Sequence, residues 1–343
     1  MTPSKSNIAI STTVWVSLIL ISLQLIWKFP KPLFFFIIGT FLFLSGFYWY
    51  VMRDSGASAS QKSYQLILIW IITTCLILTV VYKIDRAGWN WQRLTGYNYT
   101  LAERHFDLVD ASSALFLQRY PFFVRDEADP NRLVLHKGVY DVDETIIVPR
   151  HHLLYIEPGA TLQFEVGRSL ISYSPIYAQG TKAEPIIFMA KNKLFKWGVV
   201  GIVKTEKSVF ENVIFRHSRQ ARVNDIDFLA GLSVIASDVE IRDCKFVNMF
   251  GKDALNVQRA KVLIANNLFK NSLRDGLDLD SASGEVSSNQ FINCRDEGID
   301  LSENFDLQVF NNYVFDNRGG KISAENNINE ILSLNKLGYL KNQ

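Results

Sequence analysis

The sequence predicts an all-β solenoid of parallel strands behind three transmembrane α-helices. Three observations predict it. Residues 8–27, 32–52 and 64–82 are apolar and carry no charge; a short phrase returns every 22 residues from 253 to 324; and strand-like phrases ending in turn residues recur in phase with it.

Residues 1–94 form the predicted membrane domain. Each apolar stretch lacks Asp, Glu, Lys and Arg and, at about 1.5 Å per residue, is long enough to cross a hydrocarbon core of roughly 30 Å. Trp27, Tyr48, Trp49, Tyr50, Tyr82, Trp89 and Trp91 flank the stretches, where amphipathic rings favour the interface. No small-x-small cleavage site follows the first stretch, so it is expected to be retained. Lys5, Arg53 and Lys62 would lie on one side, and Lys28, Lys31, Lys83 and Arg86 on the other, which leaves the sidedness open. The whole chain has 36 Lys+Arg against 34 Asp+Glu, so no basic excess points to nucleic acid. Cys75 lies in the third stretch, while Cys244 and Cys294 read as small buried residues or as one disulfide.

Residues 95–137 are the expected N-terminal cap. Within them "LAERHFDLVDASSALFLQRY" reads as an amphipathic helix that covers the first coil, whose strand edges would otherwise be unpaired. The solenoid itself is expected over 138–326. "DALNVQ" at 253–258 returns as "DGLDLD" at 275–280, "EGIDLS" at 297–302 and "GGKISA" at 319–324. In a second register Phe246, Phe269, Phe291 and Val314 recur, as do Asn267, Asn289 and Asn312, which predict a buried ladder. Strand alternation turns Leu255, Val257, Leu277, Leu279, Ile299 and Leu301 inward, and Asn256, Asp278 and Asp300 outward to solvent, with Ser233 extending that row. No helical half-repeat is visible, which argues against a leucine-rich repeat and a doubly wound α/β fold. The tail 327–343, with Ile328, Ile331, Leu332 and Leu334 near helical spacing, is expected to close the other end.

"LLYIEPGATLQF", "YAQGT" and "EPIIFMA" resemble the opening coils of bacterial right-handed parallel β-helix proteins of the pectate-lyase-like superfamily. "GIDLSENFDLQVFNN" resembles their repeats, and the likeness covers 138–325. The resemblance implies a right-handed parallel β-helix in the cell envelope. It implies no single activity, because that superfamily hosts lyases, hydrolases, epimerases, adhesins and inert scaffolds. Of the polygalacturonase-like pattern only the aspartate in "RDGLDLD" is matched, with no His after His217. The Asp-Pro-His of alginate epimerases is absent, the nearest sequence being Asp129-Pro130-Asn131, outside the repeats.

Coils stack about 4.8 Å apart, so Asp278 and Asp300 are expected to be neighbours on one face. Their repulsion would be relieved by a proton, by a bridging cation such as calcium, or by Lys252, Arg274 or Arg295 at the adjoining turns. Such a pair suits a glycosidase as nucleophile and acid, and an acid beside Arg or Lys suits removal of the C5 proton of a uronic acid. A purely structural role stands beside these, although aspartate is a poor strand former and needs a reason to sit in mid-strand. Asp275, Asp296 and Glu297 read as turn residues. The insertion "FRHSRQARVNDIDF" at 215–228 gathers Arg216, His217, Arg219, Arg222, Asp225 and Asp227, either to grip an anionic sugar or to lock onto the acidic strip. His151 and His152 have no Cys or carboxylate at ligand spacing, and no cofactor is evident beyond calcium at Asp278 and Asp300.

The expectation is a membrane-anchored envelope protein that binds or modifies a polysaccharide: a lyase, hydrolase or epimerase if it is an enzyme. Asp278 and Asp300 would be catalytic, and Arg216, His217, Arg219, Arg222, Arg274 and Arg295 would hold substrate. The alternative is a non-catalytic scaffold that recruits partners of an envelope export or assembly machine. Expected partners are the membrane, an anionic polysaccharide and other envelope proteins, but no nucleic acid. The expected location is a bacterial cytoplasmic membrane, with the β-helix on its periplasmic or extracellular side.

Overall fold

A computed structural model describes residues 103–318, 321–325 and 328–338. There the chain winds into stacked coils whose strands form sheets of nine, eight and nine members, with one separate two-stranded hairpin. Pairing between coils is parallel, and an antiparallel pair, Val124–Arg125 with Arg132–Leu135, opens the stack. The corners recur in left-handed backbone: Asn248, Asn271, Asn293 and Asp316 at one, Asn266, Ser288 and Asn311 at another, Ala236, Arg259, Ser281 and Glu303 at the third. Asn and Asp tolerate that region better than other side chains do, which is why the strand phrases end in them.

The transmembrane helices drop out of the fold class. The described α-helices, α1 (Ser113–Arg119) and α2 (Ile328–Ser333), have 7 and 6 residues, whereas a crossing takes about 20. No helix among the described residues is long and apolar enough to cross a membrane, and 8–27, 32–52 and 64–82 lie outside those residues. What stands is an all-β solenoid.

The cap phrase is not one amphipathic helix. A 3₁₀ turn at Phe106–Leu108 is followed by a break, and Ser112 then accepts a hydrogen bond from the Leu115 amide to start α1. An Asp-Ala-Ser sequence favours such a restart over a continuous helix. Phe116, Tyr120 and Phe123 seal the first coil. At the other end α2 is succeeded by a strand, Lys336–Gly338, that pairs with Tyr313–Phe315.

Two ladders run through the stack. The rings of Phe188, Phe215, Phe246, Phe269 and Phe291 lie near-parallel, with successive centroids 5.1, 4.9, 4.8 and 4.6 Å apart. The second is the buried asparagine ladder, which Asn335 extends by one coil. Phe246→Leu keeps most of the volume but loses two ring pairs, so it should cost about 2 kcal/mol in urea unfolding. Cys244 and Cys294 are buried, unpaired thiols, and burial pushes both up to about 12.

Candidate acidic site on one sheet

The eight-stranded sheet carries the acids. We label its members β1 (Ile146–Val148), β2 (Leu170–Ser172), β3 (Val200–Val203), β4 (Ala230–Ile235), β5 (Asp253–Gln258), β6 (Asp275–Asp280), β7 (Ile299–Ser302) and β8 (Ile322–Ala324). Register places one outward row across all of them: Ile147, Ile171, Gly201, Ser233, Asn256, Asp278, Asp300 and Ser323. The row is apolar at its start and acidic towards its end. A parallel second row, Val203, Ile235, Gln258, Asp280 and Ser302, makes the same change.

The apolar half is covered by the insertion. Phe215 and Arg216 stay in a coil strand, and the rest of the insertion carries a hairpin, Ala221–Val223 with Ile226–Phe228, whose apolar side packs on Ile147, Ile171, Tyr173, Val199 and Val203. Phe228 lies so close to β3 that a Cβ at Gly201 would meet its ring at 2.6 Å, which explains a glycine in mid-strand. The hairpin is therefore not a basic loop lying over the acidic strip. Its charges are engaged around it: Arg222 pairs with Asp227 at 3.3 Å and Arg104 with Asp225 at 3.2 Å. At its tip Asn224 accepts from the His105 amide and donates to the Tyr173 hydroxyl. Its base reaches the corner before β5, where the Phe250 amide donates to the Ser218 carbonyl and the Lys252 amide to that of Leu229.

The six expected binding residues separate. Arg216 is exposed, and Arg219 and Arg222 are half-buried on the hairpin segment; Arg274 and Arg295 lie at the corners before β6 and β7. Arg274 is committed to Asp296, at 3.1 Å. His217 is half-buried, and its Nδ1 has no hydrogen-bond partner. Burial first, and then the charges of Lys196, Arg216 and Lys193, push it down to about 4. Its folded-state value lies below the usual 6.5, so its contribution to stability should fall away as pH drops from about 6.5 to about 4. His217→Asn tolerates the left-handed backbone there, and urea midpoints compared with the parent across that range should show the difference shrinking towards acid.

The acids are less exposed than strand alternation implied. Asp300 is half-exposed, but Asn256 is 1% and Asp278 4% exposed. They are packed between neighbours on the same face: Lys252 Nζ lies 3.8 Å from Asp278 Oδ2, and the Gln258 amide donates to Asn256 Oδ1 at 3.2 Å. Burial, followed by the charge of Asp280, pushes Asp278 up to about 6. Asp280 is raised too, chiefly by burial.

A second group lies at the start of the strands. Asp253 and Asp275 are paired in register and buried, so Asp275 is a strand residue and not a turn residue. Neither Asp253 oxygen receives a hydrogen bond, and burial with the charges of Asp278 and Asp275 raises it well above the carboxylate range. Glu297, in the turn before β7, donates its amide to Asp275 Oδ1 and is pushed up to about 7, chiefly by burial. Asp275, Asp296 and Glu297 bring one oxygen each within 4.8 Å of one another, the arrangement that could hold a metal ion. Asp253 and Asp280 escaped the sequence reading, although both are the terminal acids of the repeated phrases "DALNVQ" and "DGLDLD".

The family model described as "Right handed beta helix region" matches residues 176–336, just under half of the chain, and takes in β3 to β8 with both acidic groups. The match agrees with the coil architecture. Together they support a right-handed β-helix repeat in the described coils. No curated protein and no solved structure matches the chain.

Proposed function

We propose that this is a cell-envelope β-helix protein, acting outside the bacterial cytoplasm, that binds or modifies a polysaccharide on the acidic half of the face. The observation that carries the reading is the turn of the outward row from apolar to acidic, with Asp278 holding a proton up to about pH 6 next to half-exposed Asp300. Groups repeated at about 4.8 Å suit a polymer whose hydroxyls also repeat. Gln258, Asp280 and Ser302 line the same strands and are half-exposed, so they supply donors and acceptors beside the acids. In a modifying reaction Asp278 is the general acid that delivers a proton to the departing oxygen, and Asp300 is the carboxylate partner. Lys252 is the nearest basic side chain to that acid and favours its ionised form once the proton has left.

The test is incubation of the full chain with polyuronides and neutral glycans, counting new reducing or unsaturated ends and measuring retained polymer. One polymer class is expected to give new ends or retention. If folded protein gives neither with any glycan, the non-catalytic scaffold that recruits protein partners takes its place.

A further inference from the structure

We propose that Asp275, Asp296 and Glu297, with the buried Asp253 beside Asp275 on the preceding coil, form a divalent-cation site that ties two successive coils at one corner. Asp253 opens β5, Asp275 opens β6, and Asp296 and Glu297 lie in the turn before β7. The three ligand oxygens are within 4.8 Å of one another, a spread that a single ion can bridge.

The independent sign of a ligand is Asp253. It is 0% exposed, neither oxygen has a hydrogen-bond partner, and its carboxyl is held against Asp275 and Asp278. Protonation supplies one donor and leaves the other oxygen bare. Of the basic groups nearby, Arg274 pairs with Asp296, and Lys252 lies beside Asp278. A dication on Asp275 would offset the repulsion among these neighbouring carboxylates.

The donor set selects the ion. The three ligands are carboxylates, so a hard, oxygen-seeking ion of the calcium or magnesium class fits better than zinc or copper. Calcium tolerates an irregular shell of six to eight oxygens, completed by water and backbone carbonyls. Its three ligands are residues other than Asp278 and Asp300, and the proposal stands whether or not the chain acts on a glycan.

The test uses the full chain stripped with chelator. Equilibrium dialysis against calcium chloride should give a single ion per chain, and millimolar calcium should raise the thermal midpoint by several degrees, with magnesium competing. Glu297→Gln, in a half-buried turn, and Asp275→Asn should each weaken uptake at least tenfold. Asp253→Asn, a change at a positioning residue, should weaken it about 10- to 100-fold while its midpoint in chelator stays at or above that of the parent. The last readout separates ion positioning from a structural role, since a structural residue would lower the midpoint in chelator. No stoichiometric uptake and no midpoint shift would overturn the proposal, as would uptake that Glu297→Gln and Asp275→Asn leave unchanged.

Discussion

Asp278→Asn is expected to lower turnover of the polysaccharide by roughly 10²- to 10⁴-fold, the range that general acid catalysis supplies. Asparagine matches aspartate in shape but has no acidic proton to give. The loss should not come from unfolding, because the exchange removes a buried titratable group whose ionisation is opposed mainly by burial. The thermal midpoint should hold or rise. Where the protonated form is the active one, parent activity should decline as pH rises through about 6, the value to which Asp278 is pushed. Asp300→Asn leaves the acid in place and should show a smaller loss with the same acid-side profile. Full activity in Asp278→Asn would move the chemistry off this row.

The largest stability effect is expected from Asn289→Ala, on the order of 3 to 6 kcal/mol in urea unfolding. Asn289 Oδ1 accepts from both the amide and the Nδ2 of Asn267, at 2.9 Å each, and its own Nδ2 donates to the Ile264 carbonyl and to Asn312 Oδ1. The site is fully buried, so alanine leaves the Asn267 amide and the Ile264 carbonyl without these partners and without water. Each such orphan costs about 1–3 kcal/mol, and the side-chain cavity adds to it. Asn289→Asp keeps the acceptor but loses the donor and buries an acid, so it should remain costly. A loss under about 1 kcal/mol for alanine would mean that the coils hold register without the ladder.

The coil was legible because a solenoid writes each coil into the sequence. The phenylalanine steps became the ring stack, the asparagine steps became the ladder, and the phrase with Asp278 and Asp300 became two strands in register. Burial on the outer face was not legible, since alternation assigns a residue to a face and is silent about what covers that face. Asp278 and Asn256 were expected in solvent and lie under 5% exposed. A usable sign was present upstream, where "TIIV", "SLIS" and "VVGIV" are apolar on both faces, as strands covered on both sides are. It shows where the inserted hairpin sits, and therefore that its arginines are not spread over the acids. Asp275 was hidden for another reason: Asp-Gly at the head of a phrase reads as a turn, and only the register with Asp253 makes it a strand.

One coil face keeps Asp278 protonated towards neutral pH, and carboxyl carbon NMR reads that titration. Spectra of the parent and of Asp278→Asn, both in chelator, would be followed from acid to alkaline pH. A parent resonance that titrates near 6 and is missing from the variant is expected. A missing resonance that instead moves with the ordinary aspartates, near about 4, would contradict it.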